Sequence, residues 1–194
     1  MTVRSTALIL LAAAALVLWE PAAAQRAECL ARTPTIVGTA GADTLFGTEG
    51  DDVIVGLGGP DEIRGRGGAD RICGDEGADR IFAGDGRDRA SGDEGADRLF
   101  GGDGEDSLFG RDGMDRIVGQ VGSDGMTGGD GRDRLTGNPG ADTMFGNNKE
   151  DIMRGKEGRD TLLGGRGRDT TNGGDGTDSC VGERQFSCEN PSDV

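Results

Sequence analysis

An aspartate recurs at every ninth residue from Asp43 to Asp178, and no other feature of the chain constrains its fold as strongly. From Gly38 to Val181 the sequence divides without insertion or deletion into sixteen units of nine residues, among them GTAGADTLF, GTEGDDVIV, GLGGPDEIR and GDEGADRIF. Position one is Gly except at Ala83, and position four is Gly except at Lys149. Position six is Asp in every unit, and position eight is Leu, Ile, Met, Ala or Cys except at Thr171. An amphipathic helix cannot carry this pattern, because Gly at two of every nine positions costs about 1 kcal/mol each time relative to Ala. Short strands joined by turns remain. Gly permits positive φ, so the first six positions suit a tight turn. Positions seven to nine then form a three-residue strand whose alternation buries position eight. One unit cannot bury its apolar residue alone, so the units coil and stack as a solenoid.

Composition agrees with such a fold only because the pattern is periodic. Gly and Pro make up 44 of 194 residues, a fraction that would otherwise signal disorder. Aromatic residues are 4 %, Tyr and His are absent, and one Trp occurs, so no large core of bulky side chains is available. The net charge of -15 argues against nucleic acid and anionic membrane surfaces as partners. Setting aside the sixteen sixth-position aspartates leaves a net charge of +1, so this one phase of the repeat holds the whole acidic excess. Acids dispersed for solubility would not share a phase.

The units resemble the repeats-in-toxin (RTX) nonapeptide, G-G-x-G-x-D-x-U-x, of the hemolysin-type calcium-binding repeat family, over residues 38–181. The resemblance implies an all-β fold: a right-handed parallel β-roll with two nonapeptides per turn and about eight turns, capped at both ends, with calcium between stacked turns. Residues 18 apart then stack, and the aspartates sort into two columns. One holds Asp43, Asp61, Asp79, Asp97, Asp115, Asp133, Asp151 and Asp169; the other holds Asp52, Asp70, Asp88, Asp106, Asp124, Asp142, Asp160 and Asp178. Parallel layers lie roughly 4.8 Å apart. Neighbouring carboxylates therefore repel by about 1 to 3 kcal/mol at an effective dielectric between about 20 and 80.

These sixteen aspartates are the expected metal ligands. Calcium suits them, because it accepts oxygens from carboxylates and carbonyls in flexible geometry, whereas magnesium demands a tighter octahedron and zinc or copper want His or thiolate. An ion in each gap of each column gives up to about fourteen. Departures from the family pattern lower that number. Gly occupies position two only at Gly84, Gly102, Gly129, Gly165 and Gly174, and residues such as Thr39, Arg66, Asp75 and Asn147 stand elsewhere, which puts turn geometry in question. In GNNKEDIMR, Lys149 places a cation near Asp151, so a weak or missing site is expected there. Pro60 and Pro139 restrict their loops.

Outside the repeats, residues 1–24 read as a secretory signal, with Arg4, an apolar stretch from Ala7 to Trp19 and the small residues Ala22, Ala23 and Ala24. The apolar stretch falls short of the roughly 20 residues that a spanning helix needs, so no membrane span is expected in the mature chain. Residues 25–37 and 182–194 are the expected N-terminal and C-terminal caps, with Thr35-Ile36-Val37 continuing the repeat backwards as a half unit. Four cysteines suit an oxidising compartment, and the expected pairs are Cys180 with Cys188 and Cys29 with Cys73. Arg80, Arg98, Arg116 and Arg134 form an outward stripe that either binds an acidic partner such as a glycan or, the favoured reading, pairs with Glu76, Glu94 and Asp112. The Phe residues at position nine, Phe46, Phe82, Phe100, Phe109 and Phe145, are expected to pack between layers.

These features point to a secreted, monomeric calcium-binding scaffold or interaction module with no catalytic residues. A zinc protease or a Ser-His-Asp triad is excluded by the absence of His, and a carboxylate pair for glycoside hydrolysis would be placed once in a cleft, not repeated sixteen times. Ice binding needs regular Thr at stacked positions, and position two offers only Thr39 and Thr48.

Overall fold

The computed structural model describes residues 32–186 and residue 188. The expected signal segment, the start of the N-terminal cap with Cys29, and most of the tail after Phe186 lie outside the described residues. Eighteen strands run from Ile36–Val37 to Arg184–Phe186. They alternate between two nine-stranded sheets, each of which holds every second strand in chain order. All pairing is parallel, and up to the last strand it has a period of 18, as in Ile54↔Ile72, Ile117↔Leu135 and Met144↔Leu162. The half unit joins this register through Ile36↔Ile54. The chain is thus an all-β parallel solenoid of about eight turns.

The core follows from the period of the repeat. Position eight points between the sheets: Ile63, Ile81, Leu99, Leu108, Ile117, Met126, Met144, Met153 and Leu162 are fully buried, and Leu45 at the first unit packs partly against them. Each such aliphatic side chain contributes roughly 1.5 to 3 kcal/mol of burial free energy, and one per nonapeptide compensates for the lack of aromatics. Thr171, the one polar residue in this row, is also fully buried. Its hydroxyl lies 3.5 Å from the Arg184 carbonyl, which it can reach as a donor.

Strand length differs from the three residues expected. Most strands have six, as in Arg98–Asp103, which runs from position seven of one unit through position three of the next. The first-position residue, Gly or Ala83, is where the ladder skips a residue. Phe100 pairs with Val118 and Gly102 with Gln120, while Gly101 between them is passed over, so the strand bends there and then rejoins the ladder. The rejoining residue, at position two, has positive φ from Leu57 to Gly174, including non-glycine residues such as Leu57 (80°), Arg111 (84°) and Lys156 (91°). Replacing Gly there therefore leaves the turn geometry intact. Left-handed backbone costs an L-residue roughly 1 to 2 kcal/mol. Hydrogen bonds between layers offset it, such as Gly95 N–H to the Asp112 carbonyl at 2.8 Å. Lys149 at position four likewise takes a φ of 75°.

On the outer faces the arginines meet rings more than acids. The expected ion pairs of Arg98, Arg116 and Arg134 do not form among the described residues; Glu94 and Asp112 belong to strands of the other sheet. Arg80 and Arg64 lie over the Phe82 ring, Arg66 over Phe46, and Arg89 and Arg111 over Phe109, at 4.6 to 5.6 Å from the ring centroids. Phe82 and Phe100 stack between layers with centroids 4.9 Å apart, as expected for position nine. Ion pairs between layers join position five instead, at Arg132–Glu150 (2.7 Å) and Arg87–Glu105.

The last turn is shorter than the others. Thr170 pairs with Arg184, fourteen residues on, and the Cys180–Cys188 disulfide closes beside it with a Cα separation of 5.8 Å. Cys73 is also disulfide-bonded. Its expected partner, Cys29, lies outside the described residues.

Ile117→Ala is expected to destabilise the folded roll by about 2 to 5 kcal/mol, because the void is closed in between two sheets. Val121→Ala, at a side chain 53 % exposed, should change stability by less than about 1 kcal/mol. Denaturant unfolding of both variants in calcium measures the contrast.

Candidate metal centre

Each sixth-position aspartate lies between a turn and the strand that follows, and from Asp43 to Asp160 its backbone is stitched to the following layer twice. Its carbonyl accepts the N–H of position seven one turn on, as in Arg80 N–H to Asp61 O at 2.8 Å. Its own N–H donates to the Oδ1 of the aspartate 18 residues later. This bond measures 2.8 Å from Asp43 to Asp61 and from Asp97 to Asp115, 2.9 Å from Asp160 to Asp178, and 3.0 Å from Asp151 to Asp169. One carboxylate oxygen of each aspartate from Asp61 on therefore has a structural role: without it the preceding aspartate N–H would be buried and unpaired.

The second oxygen lies beneath the first-position glycine. A Cβ built on Gly56 would stand 2.5 Å from Asp61 Oδ2 and 2.7 Å from the Gly74 carbonyl, so the loop closes over the carboxylate only where that residue is very small. From Asp61 to Asp178, with the exception of Asp169, this Oδ2 atom is buried and accepts no hydrogen bond. The residues themselves are 0 to 3 % exposed. A carboxylate held in this way, with half of its acceptor capacity empty and no water access, is unstable as an anion.

Its proton affinity responds accordingly. Burial raises Asp70, Asp79 and Asp133 to about 6, and Asp97, Asp106, Asp115, Asp142 and Asp151 to about 7. Bonds from the preceding layer's N–H pull these values down, and stacked carboxylates push them up, as Asp115 and Asp79 do to Asp97. Asp61, Asp88, Asp124 and Asp160 are raised for the same first reason, burial. Asp52 differs: burial would raise it, but hydrogen bonds from Thr48 and Thr35 bring it below its ordinary value. Asp43 and Asp52 are also the two aspartates whose Oδ2 accepts bonds from a threonine.

The ladder thus brings together all sixteen sequence-predicted positions in two columns, but not as a cage of side chains. Among the described residues no three His, Cys, Asp or Glu side chains converge as a metal site. From Asp61 on, Asp169 excepted, each loop offers one free carboxylate oxygen, so a cation there would complete its shell largely with backbone carbonyls of the Gly-rich turns. A hard, oxygen-seeking ion of flexible coordination fits that donor set; ions that need imidazole or thiolate do not. Asp151, beside Lys149, keeps the same buried, unpartnered Oδ2 as its neighbours.

Two further carboxylates escaped the reading of the sequence. Asp75 and Asp93 at position two are close enough to raise the proton affinity of Asp79, and Asp93 Oδ2 is buried without a partner. The signal for them is the hexapeptide GDEGAD at 74–79, repeated 18 residues later at 92–97.

Stacked layers with a repeated, half-satisfied carboxylate define a class of protein, the cation-binding β-solenoids. The pattern of the RTX calcium-binding nonapeptide repeat matches residues 35–180 in nine overlapping segments, from 35–63 to 145–180, and the chain belongs to that family. Its repeats bind multiple calcium ions. No relative among curated proteins matches the chain. No helix among the described residues is long and apolar enough to cross a membrane.

Because ladder carboxyls such as Asp70, Asp97 and Asp151 are raised above the ordinary value of 3.8, protonation favours the cation-free roll. That contribution is complete below about pH 4 and is lost as pH rises through 6 to 7. In chelator, far-UV circular dichroism should therefore show more β structure at about pH 5 than at about pH 8. Loss of β structure on acidification over that range would contradict the placement of these carboxyls.

Proposed function

We propose that the chain is an extracellular calcium-binding protein that folds into a rigid rod when calcium fills its aspartate ladders. The observation that carries this reading is the row of buried Oδ2 atoms without partners, repeated along both columns. The ligands proposed are the sixth-position aspartates from Asp43 to Asp178, each with carbonyls of its loop. Bound calcium supplies positive charge and oxygen coordination between layers. The chain does the rest: Oδ1 fixes the preceding layer, the small first-position residue admits the carboxylate, and position eight seals the interior. Metal binding is then part of the folding free energy.

Two features support a place outside the cell. Extracellular calcium modules work at dissociation constants of about 10⁻⁴ to 10⁻³ M, above cytosolic calcium. The Cys180–Cys188 disulfide and the bonded state of Cys73 suit an oxidising compartment. The product is a monomeric, non-catalytic scaffold or adhesion module, and an accessory role beside a secreted enzyme is the alternative. The exposed Arg98, Arg116 and Arg134 face remains available to an acidic protein or glycan partner.

Calcium titration of the metal-free chain at about pH 8, followed by circular dichroism, should give a cooperative and chelator-reversible gain of β structure. Magnesium at the same concentrations should do much less. Equal order before and after exhaustive metal removal would overturn the proposal.

A further inference from the structure

The first two loops differ from all later ones at position two. Thr39 and Thr48 stand there, and neither has the positive φ shared by every second-position residue from Leu57 to Gly174. β-Branched residues are rarely found in left-handed backbone, so the sequence itself selects the other conformation. In that conformation the Thr39 N–H and hydroxyl both donate to Asp43 Oδ2, at 2.6 and 2.9 Å. Thr48 does the same to Asp52 Oδ2 at 2.7 and 2.9 Å. Each hydroxyl is itself held by the N–H of the position-four glycine, Gly41 or Gly50, at 3.2 Å.

The other oxygen of Asp52 is satisfied by a second substitution. In the ladder it would accept a sixth-position N–H from one turn earlier, but that residue is Pro34, which has none. The Thr35 hydroxyl donates to Asp52 Oδ1 instead, at 2.8 Å, and accepts the Val53 N–H at 3.0 Å. Asp52 thus has donors on both oxygens. Two donor hydrogens aimed at Oδ2 present positive charge where a cation would stand, and clearing them requires the left-handed turn that Thr resists.

We infer that Thr39 and Thr48 lock the first two loops by filling, with an N–H and a hydroxyl, the carboxylate position that a cation takes from Asp61 onward. The N-terminal end of the roll then folds without metal and offers a preformed edge on which calcium-dependent layers stack. The inference rests on the calcium reading of the later loops. It makes Thr39 and Thr48 the residues that decide which loops take the ion, and it removes the first gap of each column, lowering the ceiling from about fourteen ions to about twelve.

Equilibrium dialysis of the full chain against calcium, combined with hydrogen exchange in chelator, tests it. Thr39→Gly/Thr48→Gly frees both loops to adopt the left-handed turn, and bound calcium should rise by about two ions per chain. Thr39→Val/Thr48→Val keeps the β-branched backbone but removes the hydroxyls. Without metal, amides of residues 53–56 should then exchange at least about tenfold faster than in the unsubstituted chain, while binding at later loops persists. Calcium uptake that is unchanged by the glycine pair would overturn the lock alone. So would an N-terminal end that exchanges in chelator as fast as the Met126 region. A chain that takes up no calcium defeats the calcium reading, and the exchange comparison still judges the lock.

Discussion

A buried carboxylate with one oxygen bonded and the other empty is the constraint on which this solenoid depends. From Asp61 on, Oδ1 of each ladder aspartate accepts the N–H of the aspartate one turn before it, so the residue cannot be removed without orphaning a backbone donor. Its Oδ2, except in Asp169, is buried under a glycine or Ala83 with nothing to accept. The first arrangement sets the layers in register, and the second leaves a charge that protein atoms do not neutralise. Burial and like-charge stacking act together, so that carboxyls such as Asp97 and Asp115 titrate at about 7. Layer register and affinity for a cation thus come from the two oxygens of one side chain.

Those features that repeat once per nine residues were legible in the sequence. The buried row at position eight, the two sheets and the aspartate columns each follow from one residue type at one phase, as in Ile54, Ile63, Ile72 and Ile81. What was hidden depends on backbone conformation rather than residue type. Nothing in the letters of Leu57, Arg111 or Lys156 announces a positive φ; the neighbouring layers impose it, and with it the extension of strands to six residues. The arginine stripe was misread for a similar reason. Glu94 and Asp112 are near Arg98 and Arg116 in the chain, but they close strands of the opposite sheet.

The ends of the solenoid break the repeat in different ways. At the N-terminal end, where Pro34 has no N–H to offer, the hydroxyls of Thr35, Thr39 and Thr48 donate to the carboxylates of Asp52 and Asp43. At the C-terminal end, a turn of fourteen residues brings Arg184 beside Thr170, and the Cys180–Cys188 bond fixes the return. Interior loops have a stacked neighbour on both sides, and terminal loops have one on one side only.

Anomalous diffraction from crystals grown in calcium is the most direct measurement of the central claim. Peaks should lie beside the Oδ2 atoms in both columns, between Asp61 and Asp178, within about 2.3 to 2.6 Å of a carboxylate oxygen and with carbonyls completing the shell. A folded roll whose ladder oxygens show no peak at saturating calcium would contradict it.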